Sequence, residues 1–363
     1  MDAKQSKNGS YALPILSAGA VAGTTPNQAV AHRHIPKWIL VVASAVVLIA
    51  SIRWIILPQY SNAVRTLGSL ERISFPLVIV AGILELASLL AYSALTASVL
   101  GAGRPSYYTL LRIDLADLGV NHVVPGGGAT AAAVRFRLLQ RAGTHPTNAL
   151  AAAAIEITIS NLVLATVFAA GLLLSLTAIS ANVYYRSASG LAVAALLATG
   201  VGIWFLIRHT NRAIAAARGI VRHLPLVHED AAESFLRMMA SKILQLAKNP
   251  RRLGTDLLLA AANWLLDAAA LWVLLAAFGH HLGVGPLLTV YGVGSILAML
   301  PLTPGGLGIV EGVMVPALIG FGTPSGVALL GVIAWRLVEF WLPIPLGAAA
   351  YASLRLGTFR KVH

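Results

Sequence analysis

Apolar residues occur along this chain in long runs that are separated by short polar or basic segments. An α-helix needs about 20 such residues to cross the hydrocarbon core of a bilayer. The pattern predicts six uninterrupted transmembrane helices, at residues 38–58, 75–101, 147–179, 188–208, 255–279 and 324–353. We therefore expect an all-α polytopic membrane protein.

Two further apolar segments, 105–141 and 286–321, are each interrupted near the middle by a Pro-Gly-Gly triplet. The triplets are Pro125-Gly126-Gly127 and Pro304-Gly305-Gly306. Half of such a segment, about 16 residues, gives about 24 Å of helix, less than the ~30 Å hydrocarbon core. The pattern favours a re-entrant helical hairpin at each triplet. Similar sequence surrounds both hairpins, which indicates an internal repeat.

The basic residues predict how the helices are oriented. The chain has 26 Lys and Arg against 13 Asp and Glu. Lys and Arg cluster before residue 38, in the first hairpin, between 208 and 252, and after 354, whereas Arg336 is the only one between Gly254 and Leu354. Cytoplasmic loops carry the excess of Lys and Arg, so both termini are expected in the cytoplasm and the second hairpin is expected to open outward. The sequence thus predicts two inverted-topology repeats, a common plan of alternating-access transporters; a duplication retained only for packing is the alternative.

The same pattern divides the chain into six segments. They are a disordered cytoplasmic tail (1–36), a first span with its outer loop (37–74), repeat 1 (75–208), a basic amphipathic cytoplasmic linker (209–253), repeat 2 (254–355) and a second tail (356–363). Within the linker, apolar residues at helical spacing predict an interfacial helix at 229–248.

Composition narrows the function. Hydrophobic residues make up 58% and charged residues 11% of the chain, and cysteine is absent, which excludes disulfides and cysteine-based metal sites. The net charge of +13 lies beside membrane spans, where it is better explained by anionic lipids than by nucleic acid. We find no motif of a zinc protease, a P-loop or a nucleophile elbow, so we expect no enzyme activity, cofactor or metal.

Ionisable side chains within membrane spans are costly and therefore are candidate functional groups. The candidates are Glu85, Asp114, Asp117, Glu156, Asp267, Glu311, Arg336 and Glu339. Arg336 and Glu339 are three residues apart and can pair on one helix face. Glu156 lies 180 residues before Arg336, so the two are expected to face each other across the axis that relates the repeats. Structural ion pairs are the alternative to a substrate-linked or proton-linked role.

Each Pro-Gly-Gly break exposes the N-terminus of the helix that follows it. The unpaired N–H groups and the helix dipole there favour an anion such as phosphate, and glycine allows its close approach. Arg135 lies beyond the first break and could attract anionic lipid headgroups, while Asn121, His122 and Thr303 could form hydrogen bonds to them. The alternatives are that the glycines only permit tight packing and that His122 is a core residue.

At these residues the chain resembles the family named for the transmembrane region of lysylphosphatidylglycerol synthase, also called flippase-like membrane proteins. The resemblance covers about 38–355. It rests on Asn121, Pro125-Gly126-Gly127 and Arg135, on Leu302-Thr-Pro304-Gly305-Gly306-Leu-Gly308-Ile-Val-Glu311, and on Ala334-Trp335-Arg336 with Trp341 and Gly347. Ala129 and Thr130 stand where the family usually has an acidic residue. The soluble aminoacyl-transferase domain of bifunctional relatives is not present in this sequence, so the resemblance implies lipid translocation rather than lysine transfer.

The sequence thus predicts a flippase or transporter of an anionic lipid or lipid-linked substrate in the bacterial inner membrane. A non-transporting partner of a membrane-bound synthase or glycosyltransferase is the alternative, and an intramembrane lipid-modifying enzyme is a weaker one. Its oligomeric state is left open. The predicted substrate-binding residues are Asn121, Pro125, Gly126, Gly127, Arg135, Glu156, Pro304, Gly305, Gly306, Gly308, Glu311, Arg336 and Glu339.

Overall fold

A computed structural model describes residues 73–124, 127–175, 208–209, 212, 249–299 and 303–358. Within these ranges the regular structure is helical, without strands. The predicted tail 1–36, the span 38–58, nearly all of the span 188–208, the interfacial helix 229–248, and Pro125 and Gly126 lie outside the described residues.

Among the described residues, four α-helices lie before residue 176 and five lie after residue 249. The first four are α1 (Phe75–Leu100), α2 (Tyr107–Val123), α3 (Gly127–Arg141) and α4 (Pro146–Ser175). The others are α5 (Pro250–Ala277), α6 (Val284–Ala298), α7 (Ile309–Gly320), α8 (Ser325–Arg336) and α9 (Pro343–Ser353). A 3-10 turn, Pro304–Gly306, precedes α7, and π-helical turns, Leu337–Trp341 and Leu354–Thr358, follow α8 and α9.

Four stretches are long and apolar enough to cross a membrane: α1, α4, α5 and the continuous run Ser325–Leu356 that contains α8 and α9. They confirm the four predicted spans that fall within the described residues, and each begins within five residues of its predicted start. The largest difference is at α5, where Asn249 accepts a hydrogen bond from the Arg252 N–H and Pro250 occupies the first turn. This cap starts the helix inside the basic segment.

The two segments around the Pro-Gly-Gly triplets each form a pair of short helices. Helices α2 and α3 contain 17 and 15 residues, and α6 and α7 contain 15 and 12. At 1.5 Å per residue these lengths run from about 18 to about 26 Å. Helix α2 contacts α3, and α6 contacts α7.

Helices α1 and α5 pack along their whole lengths in antiparallel orientation. At one end the Ser74 N–H donates to the Ala277 carbonyl at 3.3 Å. At the other end the Arg252 guanidinium donates to the Ser98 carbonyl at 2.6 Å, and the Ser98 hydroxyl donates to Asp256. Between them Ser88 and Asn263 exchange hydrogen bonds of 2.9 Å.

The short helices pack extensively on long helices of the other segment, at glycines. Gly119 of α2 lies against Gly347 of α9, where a Cβ on Gly347 would stand 2.4 Å from the Leu115 carbonyl oxygen. Gly285 of α6 approaches the backbone of α4 in the same way, since its Cβ would lie 2.8 Å from the Leu174 carbonyl carbon. Small residues that allow backbones to approach are typical of helix contacts in membranes.

Candidate functional site

Arg336 ties the second Pro-Gly-Gly break to two carboxylates. Its guanidinium donates to the Gly305 carbonyl at 2.7 Å, to Glu311 at 2.7 Å and to Glu339 at 2.9 Å. The structure therefore contains the predicted pair between Arg336 and Glu339 and adds Glu311 to it. We call these three side chains the second polar cluster.

Glu311 also closes the N-terminus of α7. Its other carboxylate oxygen accepts a hydrogen bond of 2.6 Å from the Gly308 N–H. An N-terminal N–H group that we expected to meet a phosphate is thus occupied by a carboxylate of the chain itself, a favourable position for a negative charge. Glu311 and Arg336 are both buried.

The glycines of this break are packed against protein. Gly305 and Gly306 have φ angles of 51° and 72°, in the left-handed region that glycine tolerates. A Cβ on Gly305 would lie 2.1 Å from the Phe340 ring, and one on Gly306 would lie 2.8 Å from the Ala298 Cα. In the structure described, these two glycines serve close packing as well as backbone conformation.

Arg135 forms the centre of a first polar cluster, which contains Thr96, Asp114, Arg135 and Glu156. Its guanidinium lies 2.8 Å from Glu156, 3.1 Å from Asp114 and 2.8 Å from the Thr96 hydroxyl. Thr96 in turn donates to Glu156 at 3.2 Å. Arg135 is only 8% exposed, so its charge is neutralised inside the protein.

Glu156 and Arg336 were expected to face each other, but in the structure each forms an ion pair with a different residue. Each pair joins the second short helix of a segment to the long helix that follows it: Arg135 with Glu156 on α3 and α4, and Glu311 with Arg336 on α7 and α8. The positions of the positive and negative side chains are reversed between the segments. Arginine lies on the short helix in the first segment and on the long helix in the second. The turns after α3 and α7 are short, so the helices on either side of each turn are neighbours. A search for opposite charges across these turns could have found both pairs from the sequence.

The residues around the first break are less enclosed. Gly127 begins α3, Asn121 is half-buried near the end of α2, and the Asn121 Oδ1 is 3.8 Å from the position that a Cβ on Gly128 would take. Residues 128–130 are exposed, and the first turn of α3 contains no acidic residue. This N-terminus therefore has no equivalent of Glu311.

His122 and Thr303, the predicted hydrogen-bonding neighbours, are both buried. The His122 ring stacks on Phe340 with centroids 4.4 Å apart and hydrogen-bonds the Phe340 carbonyl at 2.9 Å. These contacts agree with the alternative interpretation of His122 as a core residue. They also join α2 to the π turn that contains Glu339. The Thr303 Oγ1 has no hydrogen-bond partner among the described residues.

A third polar group lies where α1 crosses α5. Glu85 and Asp267 are both buried, and the antiparallel register set by Ser74 with Ala277 and by Ser88 with Asn263 places them at the same level of the crossing. The Tyr291 hydroxyl donates to Asp267 Oδ2 at 2.8 Å, and the Trp335 indole N–H donates to Oδ1 at 2.6 Å. Both acids are candidates from the sequence, but their placement at one helix crossing is not predicted by it.

Acidic groups outnumber cations in the buried part of the described residues. Glu85, Asp114, Glu156, Asp256, Asp267 and Glu311 are buried, against two arginines, Arg135 and Arg336. Within the described ranges, no group of three or more His, Asp or Glu side chains is placed to hold a metal ion. The buried carboxyl groups and arginines can exchange protons and ion-pair partners.

Residues 41–347 match the profile of the family described as the lysylphosphatidylglycerol synthase TM region. Among curated proteins, the chain is 30% identical over 87 residues to a UPF0104 membrane protein of Methanothermobacter thermautotrophicus, covering 24% of this chain and 26% of that protein. It is 29% identical over 100 residues to the inner membrane protein YbhN of Escherichia coli, covering 27% and 30%. It is 38% identical over 104 residues to the uncharacterized protein slr0712 of Synechocystis, covering 28% and 29%. The chain thus covers less than a third of the length of these three relatives.

Proposed function

Because this chain belongs to the family of the lysylphosphatidylglycerol synthase transmembrane region, a family of multi-pass membrane proteins, we propose that it moves lipid across the membrane. The proposed substrate is an anionic lipid or a lipid-linked compound, and the proposed location is the bacterial inner membrane with both termini in the cytoplasm. The proposed mechanism is alternating access between two inverted repeats, 75–208 and 254–355.

The observation that carries this proposal is that a short helix of each segment packs on a helix of the other segment. Helix α2 of the first segment packs on α9 of the second, and α6 of the second packs on α4 of the first. Helices α1 and α5, which begin the two segments, run antiparallel. Such reciprocal contacts are expected when two like units are related by a twofold axis in the membrane plane.

The lengths of the short helices support re-entrant hairpins. Helices of about 18 to 26 Å fall short of the ~30 Å hydrocarbon core, so each pair can enter and leave on one side. The two Pro-Gly-Gly breaks would then lie inside the membrane, where irregular backbone is tolerated only if it contacts protein or a polar cavity.

The two breaks differ in exposure, which supports alternating access. Residues 128–130, after the first break, are exposed, whereas Gly306, Gly308 and Glu311 are buried. We interpret the structure as a state in which the first break is accessible and the second is closed. Exchange of these two environments would move a bound headgroup from one side of the membrane to the other.

An anionic headgroup would have to replace a carboxylate at an arginine. Arg336 is bound to Glu311 and Glu339, and Arg135 is bound to Glu156 and Asp114. A phosphate offers the same charge-assisted hydrogen bonds to a guanidinium as a carboxylate does. We propose that the headgroup competes with Glu339, the more exposed partner of Arg336, whose side chain is 22% exposed.

The same contacts favour the second candidate, a non-transporting partner of a membrane-bound synthase or transferase. Both buried arginines have internal partners and could act only in stability. The two candidates predict different results in a vesicle containing the full chain alone.

Reconstitution into vesicles with a fluorescent phosphatidylglycerol and a membrane-impermeant quencher separates them. We expect the protein to make inner-leaflet lipid accessible to the quencher, and Arg336→Gln to slow this at least tenfold. Arg355→Gln is the control, since Arg355 is exposed and lies over Tyr351 at 5.3 Å. Lipid movement no faster than in empty vesicles, with zwitterionic and anionic probes alike, would favour the partner role.

A further inference from the structure

Glu85 and Asp267 lie at the same level of the α1–α5 crossing, as the Ser74–Ala277 and Ser88–Asn263 contacts show. Each is one helical turn from a residue of the hydrophobic core, Ala81 for Glu85 and Leu271 for Asp267. Glu85 is 3% and Asp267 is 8% exposed. Burial and a neighbouring like charge both disfavour the ionised form of a carboxyl group, so two acids at one level of a buried helix crossing are expected to hold a proton.

The hydrogen bonds to Asp267 indicate which group carries the proton. Both oxygens of Asp267 accept hydrogen bonds, from Tyr291 and from Trp335. Two donors stabilise the ionised form of that carboxyl group. In contrast, the buried Oε2 of Glu85 has no partner among the described residues. These contacts assign the proton to Glu85 rather than to Asp267.

The charged surroundings also favour a shared proton. The titratable groups on elements packed against the pair are Tyr291 of α6, which donates to Asp267, and Glu339 of the π turn after α8, which contacts α1. Glu339 is a further acid, and Arg336 beside it is held by Glu311 and Glu339. If Glu85 and Asp267 were both ionised, they would lie near a third acid, Glu339. The nearby cation, Arg336, is already bound to Glu311 and Glu339.

We propose that Glu85 and Asp267 form an intramembrane proton-binding site that holds one proton in the conformation described and releases it when α1 and α5 move apart. Separation of the two helices would expose each carboxyl group to water or to a new partner. The pair joins the first helices of the two segments, at the interface that alternating access would change. The coupling of this proton to lipid movement rests on the function proposed above, whereas the proton site itself does not.

Infrared spectroscopy of the purified full chain in lipid nanodiscs tests the site without any transport. We expect wild-type protein at neutral pH to show a protonated-carboxyl stretching band that shifts on exchange into D₂O. Glu85→Gln should remove one carboxyl group's share of that band, and Asp267→Asn should shift or remove it. Ser88→Ala is the matched control, because Ser88 lies in the same helix crossing and hydrogen-bonds Asn263 without a carboxyl group; its band should be unchanged.

The proposal is overturned if Glu85→Gln, folded and monodisperse, has the same protonated-carboxyl band as wild type. Coupling is then tested in the lipid-movement assay with an imposed pH gradient. We expect the gradient to change the wild-type rate several-fold and to have no effect on the rate of Glu85→Gln. A wild-type rate that does not change with the gradient would refute the coupling. No lipid movement by the wild type would refute the proposed function. In both cases the infrared result decides whether the proton site exists.

Discussion

Replacing Arg336 by methionine should destabilise the protein more than almost any other single change in the second segment. The substitution keeps an apolar stem of similar length but removes the donors to Gly305, Glu311 and Glu339. Glu311 is 7% exposed, so its charge would remain buried without a cation. Removing one partner of a buried ion pair costs about 3–5 kcal/mol. At about 1.4 kcal/mol per tenfold change, the unfolding equilibrium should shift by about 10²- to 10⁴-fold.

Reversible unfolding of the purified protein in mixed micelles, titrated with denaturing detergent, measures this change. Arg355→Met is the matched control, because Arg355 is exposed and should change stability by no more than about 0.5 kcal/mol. The double variant Arg336→Met with Glu311→Gln should recover at least about 1 kcal/mol, since it removes the unpaired charge while glutamine can still accept from the Gly308 N–H. Equal stability of Arg336→Met and Arg355→Met would refute the reasoning.

Three further substitutions use the same unfolding measurement. Arg135→Met should cost about 3–5 kcal/mol by leaving Glu156 and Asp114 unpaired, and the exposed Arg137→Met should cost almost nothing; equal effects would mean that the first polar cluster is not neutralised by Arg135. Gly347→Ala should cost about 1–3 kcal/mol because its Cβ would lie 2.4 Å from the Leu115 carbonyl oxygen, whereas Gly254→Ala, with open space around it, should be neutral or stabilising. Gly305→Ala should be more harmful than Gly103→Ala, because both have positive φ angles but only the first would clash, with Phe340; similar losses would assign the effect to backbone conformation alone.

The four spans within the described residues could be predicted because their signal is local. Runs of leucine, alanine and valine of about 20 residues report burial in lipid, whatever the helices pack against. Local caps refine this prediction, as at Asn249 and Pro250, where the helix begins five residues earlier than the apolar run suggested. The second Pro-Gly-Gly triplet also lies between short helices, because proline and glycine disfavour the interior of a helix.

The site could be predicted only in part, since most of its contacts join residues on different helices. Arg336 and Glu339 were paired from spacing because they are one turn apart on the same chain segment. Glu156 was assigned to Arg336 on internal repetition, but its partner is Arg135, which a search for opposite charges across the α3–α4 turn would have found. The placement of Glu85 and Asp267 at one level depends on the antiparallel crossing of α1 and α5, and the sequence of neither helix alone predicts it.

Opposite insertion of the two segments is the premise on which the proposed transport depends, and single-cysteine labelling measures it directly. The wild-type chain has no cysteine, so one introduced thiol reports one position. His145, in the turn after α3, and Gly320, the last residue of α7, are both exposed, and each lies near the end of the second short helix of its segment. In intact cells or oriented vesicles, we expect an impermeant maleimide to label Gly320→Cys from outside and His145→Cys only from the cytoplasmic side. Labelling of both positions from the same side would contradict the inverted arrangement and with it the alternating-access mechanism.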